Sequence, residues 1–445
     1  MLRPLPLIAL ALLVTAAPAR ADTIKVPADF STIQAAVTAA EDGDVVVVSP
    51  GVYDEQVVIF TPGITLRGKK AVIDAGYEGP CLRVAAENVT VTGMVLVNGT
   101  VGLGDDFTEG GSPPDGLHVS RCTIRACGTG MEFTAQEVVV ERCVIEDCEE
   151  YGLDLIAVNG ADTLVLSRNT VENCGRDGMR LRAAAVELDR NQVRRCFDSG
   201  IDLELETPFE GGLLPSTLRG NRVEACLGIG LRMVNPFGFP TTVVGNKLNE
   251  NGRGLTLVGQ GFTVRDNECS RNTENGMLLG DESDDHFAVS TVEDNDVRDN
   301  GRFGIVITGP LLCRIDPATP NRFVDNEVRG NGHDGVTIDH AHDDEFVDNV
   351  VSTNGGDGID IAGGLFDLLL DGNRFLKNEH EGVDNSGSGT RLQGNRIKGN
   401  ARGVGPDLAG TGDEGAGSAV DLGGNKIDTG GFDVPARLDR EVLDA

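Results

Sequence analysis

The sequence predicts an all-β solenoid, in which short parallel strands stack into coils around one continuous core. A motif of the form Asn-x-Val-x-x-Cys/Asn-Gly-x-x-Gly, followed by alternating apolar residues, recurs every 21 to 31 residues between Cys122 and Asn395. Such a period is typical of solenoids, which lengthen by adding repeats rather than new cores. The sixty Gly, the absence of Trp and the 40% apolar content fit many short strands joined by tight turns.

Residues 1–21 have the pattern of a secretory signal peptide. Arg3 precedes an apolar run, and small residues lead to Ala19-Arg20-Ala21, which resembles an A-x-A cleavage site. No later stretch reaches the roughly 18 uncharged apolar residues that a membrane span needs. We therefore expect a secreted or periplasmic protein with no membrane span.

The formal net charge of −32 restricts the partners of this protein. Nucleic acid is not expected as a partner, because its phosphate backbone is attracted to basic stripes and none is visible in the sequence. An acidic polysaccharide would also be repelled by most of this surface. Binding one would require a local basic patch or a bridging divalent cation.

Residues 22–60 are predicted to form an N-terminal cap and the first strands. Residues 22–27 have the pattern of an edge strand, and residues 30–40 that of a short helix. Ser31 and Gln34 are placed as the capping box of this helix. A helix here would cover the open apolar end of the stack of strands. Solenoids need such a cap in order to remain soluble.

The N-terminal segment carries a resemblance to a known superfamily. Its residues are Phe30-x-Thr32-Ile33-Gln34-x-Ala36-Val37, Gly43-Asp44, Pro50-Gly51-x-Tyr53-x-Glu55 and Ile64-x-Leu66-x-Gly68. This pattern resembles the first segment of the pectin-lyase-like superfamily, and the downstream repeats resemble its coils. The resemblance implies a single-stranded right-handed parallel β-helix of about 13–15 coils with an N-terminal capping helix.

Residues 61–429 are predicted to form the β-helix, and residues 430–445 a C-terminal cap or tail. One position, usually Asn, marks each coil: Gly68, Gly93, Cys122, Cys143, Asn169, Asn191, Asn221, Asn246, Asn267, Asn295, Asn326, Asn349, Asn373, Asn395 and Asn425. Asn suits this position because it tolerates the left-handed conformation of a tight turn. Stacked amides can also hydrogen-bond from coil to coil.

Half of the ten Cys share one position of the repeat, which Asn251 and Asn331 fill in later coils. These are Cys127, Cys148, Cys174, Cys196 and Cys226. One interpretation, which we favour, is a stack of buried thiols that act as small apolar core residues. The other is one or more disulfides, since stacked neighbours lie near bonding distance, although their Cβ vectors are parallel.

Insertions are predicted to line one flank of the solenoid, because most of them follow the third strand of a coil. They are Glu206–Ser216, Asn235–Thr241, Asp281–His286 and Gly309–Pro320. Loops grouped on one side of a solenoid usually form its binding face.

The outward side chains of the third strands are predicted from the alternation of strand residues. Counting two residues after each coil's Gly gives Asp154, Arg180, Asp202, Arg232, Thr256, Leu278, Val306, Thr337, Asp360 and Asp384; two residues further lie Arg182, Glu204, Thr308 and Asp339. The alternating charges have two interpretations. They form a cross-strand ion ladder, or they form a substrate-binding floor for a sugar chain, made by Asp154, Arg180, Arg182, Asp202, Glu204 and Arg232.

Three of the six His lie between Gly332 and Asp344, close to predicted outward carboxylates. The candidate catalytic residues are Asp339, His340, His342, His333 and Asp360. A carboxylate beside an imidazole can remove a proton alpha to a carboxyl group, as a polysaccharide lyase or epimerase requires. The alternative is a polar turn whose side chains are only solvated.

No particular enzyme family is matched intact. The run Val336-Thr-Ile338-Asp339-His340 is similar to the strand that carries an Asp-His pair in pectate lyases. The later Arg-x-Pro-x-x-Arg element of those enzymes is missing from the chain. The similarity therefore implies a class of chemistry and does not identify an active site.

No feature of the sequence requires a cofactor, and calcium is the one metal that its motifs suggest. The loop Asp281-Glu-Ser-Asp284-Asp285 offers carboxylates, although such a charge run is more often solvated surface. Gly355-Gly-x-Gly358-x-Asp360 matches one calcium-binding nonapeptide, but consecutive nine-residue repeats are missing.

These observations predict an exported carbohydrate-active protein of polysaccharide lyase or epimerase type, acting on a uronate-containing polymer. The alternative is a non-catalytic polysaccharide-binding or cell-surface structural β-helix protein. In either case we expect a monomer whose partner is a polysaccharide.

Overall fold

A computed structural model describes residues 21–105, 115–157, 163–207, 214–280, 287–308, 320–339, 344–362, 368–387, 389–404 and 419–428. Each strand pairs in parallel with the equivalent strand of the neighbouring coil. Val165, for example, lies between Val139 of the coil before it and Glu187 of the coil after it. About 14 turns follow one another, which confirms the predicted parallel β-helix.

Each coil has a first strand before the Asn position, a second strand after it and a third strand that begins near a Gly. The first strands are Thr23–Val26, Val45–Val48, Leu117–Ser120, Val138–Glu141, Thr163–Ser167, Ala185–Asp189, Ser216–Arg219, Thr241–Val244, Phe262–Arg265, Thr291–Glu293, Arg322–Val324, Glu345–Val347, Leu369–Asp371, Thr390–Gln393 and Ala419–Gly423. The second strands are Gly51–Asp54, Thr123–Arg125, Val144–Glu146, Thr170–Glu172, Gln192–Arg194, Arg222–Glu224, Lys247–Asn249, Glu268–Ser270, Asp296–Arg298, Glu327–Arg329, Val350–Ser352, Arg374–Leu376, Arg396–Lys398 and Lys426–Asp428. Thr65–Asp74 and Thr90–Val97 run through both positions, so that the first and second strands form one continuous sheet.

The third strands form a separate sheet, called the third sheet below. They are Val57–Ile59, Leu82–Val84, Val101–Asp105, Thr129–Ala135, Leu153–Ala157, Met179–Ala183, Ile201–Leu205, Ile229–Asn235, Arg253–Gln260, Met277–Leu279, Ile305–Ile307, Val336–Ile338, Ile359–Ile361, Glu381–Asn385 and Arg402–Val404, with Phe287–Ala288 paired beside Gly259 and Gln260. Alternate residues of these strands enter the core. Leu153 and Leu155 are buried, whereas Asp154 between them faces outward and is partly exposed.

The predicted helix is present as Ile33–Ala39, but its N-terminal cap differs from the prediction. Thr32, and not Ser31, is the N-cap, and its hydroxyl accepts a hydrogen bond from the Ala35 N–H at 3.1 Å. The capping box with Gln34 is therefore wrong. The Gln34 side chain instead bonds to the backbone of Val58 in the first strand of the third sheet, at 2.7 and 3.2 Å.

The start of this helix is also held by a carboxylate from the next segment of the chain. Glu55 accepts hydrogen bonds from the backbone N–H groups of Ile33 and Gln34, at 2.8 and 2.9 Å. Such N–H groups have no partner within the helix, and the positive end of the helix dipole favours an anion there. That the helix closes the open end of the stack stays a prediction. No helix of the described residues is long and apolar enough to cross a membrane.

Buried Asn side chains form the predicted ladder, which runs from Asn169 to Asn425. In one rung, Asn295 Nδ2 donates to Asn326 Oδ1 at 2.9 Å and to the Val264 carbonyl at 3.0 Å, while Asn295 Oδ1 accepts from the Asn267 N–H. The prediction that Asn itself takes the left-handed conformation is wrong. The residue before each Asn does so, as in Asp294 with φ 54°. Asn is therefore selected at this position for its coil-to-coil hydrogen bonds.

The nine Cys that the structure describes are all buried and free, which confirms the buried-thiol interpretation for them. Five of these Cys share one position of the repeat, and the Gly residues that open the third strands lie next to them. A Cβ on Gly178 would lie 2.3 Å from Val193 Cγ1 and 3.0 Å from Cys196 Sγ. These Gly residues are therefore required by close packing against the second strands and the thiols.

One of the predicted insertions lies in the described part of the chain. Asn235–Thr241 follows a third strand, as predicted, and Asn235 Nδ2 ties it together by bonds to the Phe239 carbonyl and to Thr241 Oγ1. Asp281–His286 lies outside the described residues, as do most of Glu206–Ser216 and of Gly309–Pro320. The C-terminal cap at residues 430–445 and nearly all of the predicted signal peptide also lie outside them.

Candidate functional site

A main outward column of side chains runs along the third sheet. Strand pairing places in it Glu132, Asp154, Arg180, Asp202, Arg232, Thr256, Leu278, Val306, Thr337, Asp360 and Asp384, in that order. The ten positions from Asp154 to Asp384 are those that the sequence predicted. Glu132 is an addition, one coil before Asp154.

Opposite charges in the first half of this column are paired with each other. Two nitrogens of Arg180 bond to the two carboxylate oxygens of Asp154, and one of these bonds is 2.8 Å long. Arg232 lies 2.8 Å from Asp202. In the parallel outward column, Arg182 and Glu204 are 3.9 Å apart. This geometry is the ion ladder of the first interpretation.

Arg180 has a further protein partner, Tyr151. Its hydroxyl accepts a hydrogen bond from Arg180 at 2.8 Å, and its ring centre lies 3.9 Å from the guanidinium carbon. The pKa of Arg180 is raised, chiefly by its hydrogen bonds to Asp154. A ligand carboxylate would therefore have to displace a protein partner in order to bind this guanidinium.

The middle of the column is apolar and covered. Thr256, Leu278, Val306 and Thr337 face outward by register, but each is at most 9% exposed. This stretch separates the ion ladder from a group of acidic side chains at the C-terminal end of the column.

We call this group the acidic cluster; it consists of Asp334, Asp339, Asp357, Asp360, Glu381 and Asp384. Three of its members each precede the Gly that opens a third strand, on successive coils. Each of the first two accepts a hydrogen bond from the backbone N–H of the next. Asp334 Oδ1 accepts the Asp357 N–H at 2.7 Å, and Asp357 Oδ1 accepts the Glu381 N–H at 2.6 Å. These bonds fix the carboxylates one above another at the edge of the third sheet.

Burial and crowding raise the pKa values of two carboxyl groups in the acidic cluster. Burial, followed by the charges of Asp334, Asp384 and Asp339, raises the pKa of Asp360 to about 6. Burial and a hydrogen bond to Glu381 raise the pKa of Asp357 to about 8. The cluster therefore contains carboxyl groups that exchange protons near neutral pH, as general acids and bases must.

A model of the family described as "Right handed beta helix region" matches this chain over residues 107–265, 217–311 and 314–415. These ranges together cover well over half of the sequence. The chain belongs to the right-handed β-helix family. No curated protein matches the sequence.

Several solved structures match this chain at low sequence identity. XylC in complex with xylose matches at TM-score 0.45 and 11% identity, over 70% of this chain and 76% of its own. The A-module of mannuronan C-5 epimerase AlgE4 from Azotobacter vinelandii matches at TM-score 0.39 and 14% identity, over 88% and 96%. A mannuronic acid specific polysaccharide family 6 lyase from human gut microbiota matches at TM-score 0.37 and 12% identity, over 91% and 92%.

The candidate catalytic residues of this β-helix protein are only partly brought together. Asp339 and Asp360 both belong to the acidic cluster, and the charge of Asp339 contributes to the raised pKa of Asp360. His333 is exposed on the preceding turn, where its ring packs against Phe303 with centroids 5.3 Å apart. His340 and His342 lie outside the described residues.

Four members of the acidic cluster were not predicted as site residues. Asp384 was predicted only to face outward. Asp334, Asp357 and Glu381 each precede the Gly that opens a third strand, in the pairs Asp334-Gly335, Asp357-Gly358 and Glu381-Gly382. The same repeat alignment that located the outward column contains this acidic column three positions earlier, so it is visible in the sequence.

Within the described part of the chain, one group of side chains could hold a divalent cation. A ligand atom from each of Asp357, His380 and Glu381 lies within 4.8 Å of the other two. Glu381 also pairs with Arg402 at 3.0 Å, so this cation would compete with a guanidinium.

The calcium candidate at Asp281–Asp285 lies outside the described residues. Gly355–Asp360 forms part of an ordinary coil, with Asp360 in a third strand.

Proposed function

We propose that this chain is an exported carbohydrate-active protein that binds a polysaccharide along the outward face of the third sheet. We further propose that it acts on a uronate-containing polymer as a lyase or an epimerase. The observation that carries this proposal is the half-buried Asp360, whose pKa of about 6 suits a general base near neutral pH.

The proposed reaction begins when the Asp360 carboxylate removes the proton alpha to the uronate carboxyl group. In a lyase, the electron pair of the broken C–H bond forms a carbon–carbon double bond and expels the glycosidic oxygen, which takes up a proton. In an epimerase, the carbon is reprotonated on its opposite face. The pKa of Asp357, about 8, keeps this carboxyl group protonated at neutral pH and suits it to supply the proton. Asp339, His333, His340 and His342 are proposed as further acid and base groups of the same site.

The substrate carboxylate is the main electrostatic obstacle for this reaction, since the acidic cluster has the same sign of charge. Arg180 and Arg232 are paired with Asp154 and Asp202, so a uronate would have to compete for them. A divalent cation on Asp357, His380 and Glu381 would supply the missing positive charge, and calcium would be held by the oxygen atoms of Asp357 and Glu381. With the cation bound, Asp357 is an ionised ligand, and another acid group of the site supplies the proton. Asp154, Asp202 and Glu204 are proposed to accept hydrogen bonds from sugar hydroxyls.

The alternative is a non-catalytic polysaccharide-binding or cell-surface structural protein. The ion ladder favours it, because Arg180 and Arg232 already have protein partners and their geometry has a structural explanation. In this case the third sheet binds a sugar chain through hydroxyl contacts, and the acidic cluster is solvated surface.

Activity assays with Asp360→Asn separate the two functions. The wild-type protein should produce unsaturated ends, seen by ultraviolet absorption, or exchange the alpha proton with solvent deuterium, seen by NMR, on alginate or pectate. Asp294→Asn is the matched control, because this exposed left-handed residue lies at the turn before a ladder Asn and suits Asn. Loss of activity in Asp360→Asn alone supports the proposal. Full activity in Asp360→Asn contradicts the role of this base. No turnover with or without calcium, together with glycan binding that the His340→Ala, His342→Ala double variant retains, favours the binding protein.

Export is tested separately. If residues 1–21 are a cleaved signal peptide, N-terminal sequencing of the protein recovered from the periplasm or medium should begin at Asp22. A product that retains residue 1 in the cytosol would contradict export.

A further inference from the structure

Four buried thiols, on four successive coils, share the position of the repeat that Cys127 occupies one coil earlier. They belong to Cys148, Cys174, Cys196 and Cys226, each at most 3% exposed. Backbone hydrogen bonds fix their register, since the residue after each Cys donates to the carbonyl of the preceding Cys at 2.9–3.1 Å. Each thiol donates a hydrogen bond to the backbone carbonyl two residues before it, at 3.7–3.9 Å. We call this group the thiol column.

A shallow surface depression opens onto the thiol column. Cys148, Cys174 and Cys196 line it together with Glu149, Asn173, Gly175, Arg195, Phe197, Ala225 and Leu227. Phe197 and Leu227 are 63% and 68% exposed, so they stand beside the depression rather than filling it. Three residues of the thiol column therefore lie beside a surface depression, although their side chains are buried.

The spacing of the coils matches a particular kind of metal coordination. Neighbouring strands lie about 4.8 Å apart, so equivalent sulfur atoms repeat at about that distance. An ion midway between two such sulfurs would have both at about 2.4 Å, close to the ~2.3 Å length of a metal–thiolate bond. Two-fold linear coordination by soft thiolates suits a monovalent soft ion such as Cu(I). A disulfide would need the sulfurs to approach to about 2.0 Å.

We propose that the thiol column binds Cu(I), with each ion held between the sulfur atoms of two successive coils. Each ion displaces two thiol protons to solvent and forms two copper–sulfur bonds, and no electron is transferred. Since each thiol serves one ion, the four thiols hold at most two ions.

Anaerobic titration of the reduced protein with Cu(I), in competition with a coloured Cu(I) chelator, measures this binding. The wild-type protein should hold one or two ions against the chelator. Cys148→Ser combined with Cys196→Ser removes every pair of neighbouring thiols at this position of the repeat, including that of Cys127 and Cys148, and should weaken binding at least tenfold. Cys269→Ser is the matched control, because Cys269 is buried and free and its partners on the adjacent coils are Leu248 and Val297; it should leave binding unchanged.

X-ray absorption at the copper edge tests the wild-type protein directly, so a variant that fails to fold leaves the proposal open to test. Two sulfur neighbours and no nitrogen or oxygen neighbours are expected. Copper bound by nitrogen and oxygen, equal loss in Cys269→Ser, or no retention against the chelator would each overturn the proposal. Disulfides among these four Cys in the isolated, unreduced protein would overturn it as well.

Discussion

Replacement of Asn295 by Ala tests whether the ladder of buried amides stabilises the coils. The Asn295 side chain bonds to the carbonyls of Val264 and Glu293 and to both neighbouring rungs of the ladder, at 2.9–3.0 Å. Alanine would leave the Asn267 N–H and the Val264 carbonyl without these partners in a core that excludes water. Each buried group left without a hydrogen bond costs about 1–3 kcal/mol, so we expect a loss of about 4 kcal/mol in the free energy of unfolding.

Asn425→Ala is the matched control, because Asn425 makes the equivalent bonds to the preceding coil at the last described rung, where the bonding atoms are only part-buried. Water can replace its hydrogen bonds, so we expect a loss of about 1 kcal/mol. Urea unfolding followed by circular dichroism measures both losses. Because solenoids can unfold locally, hydrogen exchange at the Asn267 amide should also become faster in Asn295→Ala. A loss below about 1 kcal/mol, or one no larger than in Asn425→Ala, would refute the reasoning.

Three further predictions follow from the packing and the charges. Gly178→Ala should lower the free energy of unfolding by about 2–3 kcal/mol, because the added Cβ would lie 2.3 Å from a Val side chain. Gly245→Ala should lower it by about 1 kcal/mol, because the added Cβ meets nothing within 4 Å and the cost comes only from the backbone angle φ of +64°. Urea unfolding measures both losses. Asp360→Asn should raise the melting temperature at pH 8 and have little effect near pH 4. The pKa of Asp360 is about 6 in the folded state, above the unfolded value of 3.8, so ionisation of Asp360 destabilises the fold as pH rises through 6. Arg180→Ala should cost about 1–2 kcal/mol and Arg182→Ala less than about 0.5 kcal/mol, because Arg180 bonds to a carboxylate and a Tyr hydroxyl whereas the partner of Arg182 is 3.9 Å away.

Each of these expectations has an outcome that contradicts it. Equal losses in the two Gly variants would show that the core can yield around an added methyl group. A melting temperature of Asp360→Asn that falls at pH 8 would reverse the sign of the electrostatic argument; Asp294→Asn controls for the loss of one surface charge. Equal losses in the two Arg variants would show that the hydrogen bonds of Arg180 contribute nothing beyond an exposed ion pair.

Much of the candidate site was predictable from sequence, because each coil repeats the same register. The order from Asp154 to Asp384 on the third sheet follows from counting two residues after each Gly, and the strand pairing has the same order. The Asn and Cys columns followed from the same alignment. Asp334, Asp357 and Glu381 were missed because they lie at or before the first residue of a third strand, where period-two alternation does not fix the direction of a side chain.

The sequence by itself determined the parallel β-helix, the Asn and Cys columns and the side chains that face outward on the third sheet, because these depend on a repeat that adds one coil at a time. Only the tertiary structure decided which charges are already paired and which carboxyl groups have raised pKa values. Pairing depends on side-chain distances across coils, as in the bonds from Arg180 to Asp154 and to Tyr151. The pKa of Asp360 depends on burial and on three carboxylates that are up to 26 residues away along the chain but close in space.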